Sequence, residues 1–141
     1  MPSPELRTVI GELIEQQLHD PDERPFVRDL IREHDALLLF GSFSGWHLLR
    51  RDGSVVFVPD GPDDPARLEP DERWTLVALV RGVRRWPRLA PLLPQRELEP
   101  NCPACEGRGH LEFSADVAPE VICGTCAGLG WVADVLRDHK L

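Results

Sequence analysis

Two copies of one eight-residue pattern constrain this chain more than anything else in it. CPACEGRG, from Cys102 to Gly109, and CGTCAGLG, from Cys123 to Gly130, both read C-x-x-C-x-G-x-G. Seventeen residues separate Cys105 from Cys123, inside the window of a paired C-x₂-C zinc site. Each pair sets two sulfurs on one tight turn, and two facing turns supply four thiolates in a tetrahedron, with metal–sulfur distances of about 2.3 Å. Gly107, Gly109, Gly128 and Gly130 suit the positive φ of turns that wrap an ion. The reading is one structural Zn²⁺ on Cys102, Cys105, Cys123 and Cys126. A closed Cys₄ site keeps no position open for a substrate, which disfavours a catalytic ion. The competing reading is a redox dithiol at Cys123-Gly-Thr-Cys126. Such thiols are activated at helix N-termini, and the glycines just past Cys126 oppose a helix there.

The segment between the repeats suits two β arms, His110 to Ser114 and Val117 to Ile122, with Leu111, Phe113, Val121 and Trp131 as a miniature apolar cluster. So short a segment cannot build an adequate core alone, which gives the metal a stabilising role. The repeat resembles the cysteine-rich zinc domain of DnaJ-type co-chaperones, where four repeats bind two zincs; two repeats here imply one ion. The resemblance covers residues 102 to 130 and implies ligand roles for the four cysteines and turn roles for the four glycines. No His-Pro-Asp tripeptide is present, since His19-Asp20-Pro21 has another order, so recruitment of a chaperone ATPase does not follow. Further upstream, GSFSGWHLL (Gly41 to Leu49) and RRDGSVVFV (Arg50 to Val58) are weakly similar to SUKH-type immunity and regulatory domains.

Ser3, Pro4 and Glu5 make a helix start, after which Leu6, Val9, Ile10, Leu13, Ile14 and Leu18 recur at helical spacing. Gly11 within this run implies close approach of a neighbour or mere tolerance. Val27, Leu30 and Ile31 give a second short helix over Phe26 to His34. Strand-like runs follow at Ala36 to Phe40, Trp46 to Arg50 and Ser54 to Val58, the last two joined by Arg51-Asp52-Gly53, a hairpin signal. The acidic loop Pro59 to Glu69 is expected to end the sheet. Pro70, Asp71 and Glu72 start a third helix that Pro87 must stop. Leu76, Leu79, Val80 and Val83 share one side of it, and Arg81, Arg84 and Arg85 share the other with Trp74 and Val77. Four prolines between residues 87 and 101 read as an extended connector. The expected fold is α+β: residues 1 to 98 form a small antiparallel sheet with about three helices on one face, 99 to 132 a one-zinc β-ribbon, and 133 to 141 a tail.

The 24 acids against 16 bases give a net charge of −8, which argues against nucleic-acid and anionic-membrane partners. The longest apolar run, Ala36 to Phe40, is too short to span a bilayer, and MPSPELRTVIGEL has no signal-peptide core. A cytoplasmic, reducing location is expected, in which paired cysteines hold metal rather than disulfides. The single lysine among the bases has the look of GC-rich, bacterial coding. Catalytic patterns are wanting. Gly41-Ser-Phe-Ser-Gly45 puts Phe43 where a nucleophilic serine belongs, the five histidines lack metal-binding spacing, and Asp60, Asp63 and Asp64 lack the EF-hand spacing. His110 alone stands close enough to the cysteines to assist them. No enzyme activity and no small-molecule substrate are expected. The reading is an interaction or adaptor module, immunity-like or regulatory, with Trp74, Arg81, Arg84 and Arg85 facing an acidic protein partner. The alternative is a thiol-active or holdase-like chaperone accessory.

Overall fold

In the computed structural model, which describes residues 3–42, 44–60, 65–111 and 121–137, α1 (Pro4–Leu18) begins where the Ser3 hydroxyl accepts the Leu6 N–H at 3.2 Å. That cap satisfies one of the orphan donors of the first turn. Leu6, Ile10, Leu13 and Ile14 point into the core, as their spacing predicts. So does Gln17, whose Oε1 accepts the backbone N–H of Leu38 at 3.0 Å. Gly11 admits the guanidinium of Arg51, whose Nη1 lies 2.7 Å from where a Cβ would stand. Arg51 is held there by two hydrogen bonds to Asp35, the left-handed residue that ends α2 (Pro25–His34).

Four antiparallel strands follow, β1 (Ala36–Ser42), β2 (Gly45–Arg50), β3 (Val55–Pro59) and β4 (Arg67–Leu68), in spatial order β1-β2-β3-β4. The β2–β3 register places Leu49 opposite Val55 and His47 opposite Phe57. Gly53, at φ +88°, turns the hairpin between them. β4 corrects the expectation that the sheet ends at Pro59. Its two residues carry no strand signal of their own, and they pair as Val56↔Leu68 and Phe57↔Arg67. The acidic pair Asp63 and Asp64 lies outside the described residues.

Side chains alternate along a strand, so Trp46 and His47 face opposite ways. Trp46 meets Phe26 of α2 at a ring separation of 5.3 Å, whereas His47 lies 6.2 Å from Trp74 of α3 (Glu72–Arg85). Helices therefore cover both faces of β1 and β2 rather than one, because the strands are apolar on both: Leu37, Leu38, Leu48 and Leu49 are all buried. α3 starts on Asp71, whose carboxylate accepts the N–H groups of Arg73 and Trp74, and it stops before Pro87 as expected. A bulge in β1 between Leu38 and Phe40 re-aims Leu39 against Gly82, where its Cδ2 would lie 2.4 Å from a Cβ.

The stretch after α3 departs from the expected extended connector. Pro87–Leu92 forms a 3₁₀ helix, since Pro87 at its first position forfeits no needed N–H. Leu89 is fully buried in the main core there, with Leu92 packed beside it.

Candidate metal centre

Both repeats form the same knuckle, and the sequence repeat becomes a pseudo-two-fold arrangement. In each, the residue after the second cysteine is left-handed (Glu106 at φ +57°, Ala127 at +55°), and the glycine after it is as well (Gly107 at +84°, Gly128 at +93°). The final glycines, Gly109 and Gly130, also have positive φ and stand back to back with the other knuckle. A Cβ on Gly109 would lie 2.5 Å from the Gly128 carbonyl oxygen, and one on Gly130 would lie 2.6 Å from that of Gly107. The backbone bonds are reciprocal too. Cys102 N–H donates to the Gly130 carbonyl at 2.8 Å, and Cys123 N–H to the Gly109 carbonyl at 3.1 Å. All four glycines named in the motif thus have a backbone reason to be glycine.

This geometry gathers four sulfurs. Sγ of Cys102 lies 3.9 Å from that of Cys123, and Cys105 lies 3.7 Å from Cys126; all four ligand atoms lie within 4.8 Å of one another. A tetrahedron with metal–sulfur bonds of about 2.3 Å has edges of about 3.8 Å, so the four buried cysteines could hold one metal ion. Gly109 N–H donates to the Cys105 sulfur at 3.2 Å, and Gly130 N–H to that of Cys126 at 3.3 Å. Such bonds fix ligand orientation and favour the thiolate. Burial nevertheless pushes the Cys126 thiol up to about 12 and raises that of Cys102. At Cys105 burial also opposes ionisation. There the N–H of Gly109, the thiols of Cys126 and Cys102, and the N–H of Gly107 outweigh it and bring the group down to about 7. A buried quartet that resists accumulating negative charge needs a cation to become four thiolates.

β5 (His110–Leu111) and β6 (Val121–Ile122) pair antiparallel at the base of the knuckles. The rest of the two arms, Phe113 with it, lies outside the described residues. His110 pairs with Ile122 in this ladder and does not belong to the cysteine cluster. Of the expected arm cluster, the side chains of Leu111, Phe113 and Val121 lie outside what the structure describes, which leaves Trp131. It is buried with Leu76, Val77 and Val80 of α3, together with Ala127, Ala133 and Leu136. The last two belong to the segment expected as a tail, where α4 (Asp134–Arg137) forms. Gly128 lies against α3, since a Cβ there would approach Val80 Cγ1 to 3.2 Å. The metal module is thus seated on the third helix. Sequence periodicity had put Val77 on the arginine face, and no motif announced a platform at Val77 and Val80. Nor did the motif announce Asn101, whose side chain covers Gly107 and whose backbone bridges to Trp131.

The proposed partner residues of α3 do not form one patch. Trp74 is part-exposed at the helix start, stacked over Phe40 and His47. Arg85 lies about 16 Å further along the axis. It bonds Glu23 at 2.9 Å, lies 4.0 Å from Asp20 and covers the Trp86 ring. Among the described residues, these anionic partners of Arg85 lie on the α1–α2 turn. Arg84 is exposed and Arg81 half-buried. His47, which sequence spacing left without a role, is buried, and its Nε2–H donates to a Glu69 carboxylate oxygen at 2.7 Å. Phe40, Phe57 and Trp74 surround the ring, and both side chains of the pair are almost wholly buried.

Comparisons with models of known families, with curated proteins and with solved structures find no match to this chain. The DnaJ-type and SUKH-type resemblances rest on the residues quoted for them. Among the described residues no helix is long and apolar enough to cross a membrane.

Proposed function

We propose that this protein is a non-enzymatic interaction or adaptor module of the cytoplasm, stabilised by one structural Zn²⁺ on Cys102, Cys105, Cys123 and Cys126. One observation carries the reading. All four sulfurs are buried at tetrahedral spacing, so they saturate a four-coordinate ion and leave no position for water or substrate. An all-thiolate tetrahedral donor set selects zinc over the hard divalent cations. The seat of the module on α3 fits a scaffold role for the ion. The partner in this reading is an acidic protein met by the arginines at the end of α3, which stand out against a net charge of −8.

The test is metal content together with affinity capture. The purified protein should carry one zinc per chain by atomic emission, Cys123→Ser should carry none, and the captured partner should dissociate with added salt. A zinc-free protein with Cys102–Cys105 or Cys123–Cys126 disulfides that still captures its partner would replace this reading with the thiol-active one.

A further inference from the structure

From the outer edge of the sheet we infer that β1 accepts an extended acidic peptide as a fifth strand, its carboxylates falling between Arg24 and Arg85. The inference rests on the adaptor reading and says where, and in what conformation, the acidic partner is held.

Among the described residues, β1 pairs with β2 alone and forms an edge of the sheet. On the other side, α1 closes the start of the edge, with the fully buried Gln17 accepting the Leu38 N–H. Past that point a cavity of about 390 Å³ opens, lined by Leu38, Leu39, Phe40 and Gly41 of β1 with Arg24, Trp46 and Arg85. Across the bulge, Leu38 and Gly41 stand opposite Leu48 and Trp46 on one face, and Phe40 stands opposite His47 on the other. Arg24 comes from the start of α2, on the Trp46 side, and Arg85 from the end of α3. A single cavity touching all of these lies at the strand edge rather than on either face.

Natural edge strands are guarded by lysine, proline, inward charge or covering chain. ALLLFGS, the sequence of β1, holds no charge and no proline, and its one irregularity is the bulge at Leu39. The cavity walls carry charge of a single sign. Two guanidiniums flank the edge, and both lean on the buried Glu23 carboxylate, Arg85 at 2.9 Å and Arg24 at 3.9 Å. Arg28 reaches the Asp20 carbonyl nearby. Arginine forks recognise carboxylates bidentately, and strand addition supplies main-chain bonds while alternate side chains set specificity. The occupant is therefore a segment of roughly four to six residues with Asp or Glu at alternate positions.

The probe is a fluorescein-labelled (Glu-Thr)₅ peptide read by anisotropy against the zinc-loaded full chain. Expected is saturable binding, absent for (Lys-Thr)₅ and weakened at least tenfold when alternate peptide amides are N-methylated. Arg24→Glu should weaken it at least tenfold too. Arg24 is largely exposed, with a long contact to Glu23 and a place over the part-exposed Phe26 ring, so the variant keeps the fold, and the N-methyl arm needs no variant at all. No saturable binding up to millimolar peptide, equal binding of the N-methylated peptide, or equal binding by Arg24→Glu overturns the inference. So does competition by free glutamate at the concentration of peptide glutamate. If wild type and Arg24→Glu capture the same partner equally, this edge site fails while the adaptor reading stands. If the wild type captures none, the adaptor reading itself fails.

Discussion

Gly124 and Gly109 look alike on the page, one inside a CxxC and one at the end of a repeat, yet their surroundings differ. A Cβ on Gly124 would meet nothing within 4 Å, while one on Gly109 would collide with the Gly128 carbonyl oxygen at a backbone φ of +83°. The left-handed conformation alone costs a residue with a Cβ about 1 to 2 kcal/mol, and a backbone carbonyl has no rotamer to escape into. Gly109→Ala and Gly130→Ala should each lower stability by more than about 2 kcal/mol and weaken zinc retention in a chelator competition. Gly124→Ala should do neither. Equal behaviour of Gly109→Ala and Gly124→Ala would sink this account of the motif. At this scale much is legible: the repeat points to the four cysteines that cluster and to its turn glycines, because a tight knuckle allows few other residues. Asn101 and Val80 were not legible, since they serve the site by contact and any residue of similar shape could occupy their positions.

At the scale of elements, α1, α2 and α3 announce themselves through caps, prolines and the 3.6-residue period. The 3₁₀ helix and β4 do not. Pro87–Leu92 contains two prolines that read as breakers, and its helical state follows from Leu89 finding the core. β4 has two exposed residues and exists by pairing with β3. Its consequence is to carry Glu69, whose N–H donates to the Val55 carbonyl, onto His47. Burial lowers the basicity of that imidazole, and the hydrogen bond and charge of Glu69 only partly oppose the effect. With a folded-state pKa below the ordinary 6.5, the unfolded chain binds this proton first. Stability is thus fully present above about pH 6.5 and declines as pH falls through the folded value, with a slope of at most about 1.4 kcal/mol per pH unit for this one group. His47→Gln keeps a donor for Glu69 and cannot titrate in this range. Its urea midpoint should be flatter than wild type between pH 7 and 5. A wild-type midpoint that rises on acidification would contradict the sign.

Among the described residues two apolar clusters meet at α3, with Phe40 of β1 packed against both. The main core takes Ile10, Ile14, Val27, Ile31, Leu37, Leu48, Leu49 and Leu89 with Ala78 of α3. The second takes Leu76, Val77 and Val80 of the same helix with Ala127, Trp131, Ala133 and Leu136. None of the cysteines belongs to the first. On the zinc reading, stripping the metal would leave four buried sulfurs without their cation and remove the dominant stabilising term of the module, while the sheet and its helices keep their own contacts. Unfolding should therefore occur in two steps, with chelation moving only the first. The shared helix makes the separation incomplete. A fragment ending at Leu98 loses the cover of Val77 and Val80, each worth about 1.5 to 3 kcal/mol when fully buried. It should fold, with reduced stability, and self-associate through the uncovered strip. Val77→Lys in that fragment should restore a monomer by sedimentation without changing its circular dichroism, because position 77 faces the module rather than the sheet. A 1–98 fragment without helical and sheet signal would show instead that the module is required to fold α3, and the two-cluster account would fail.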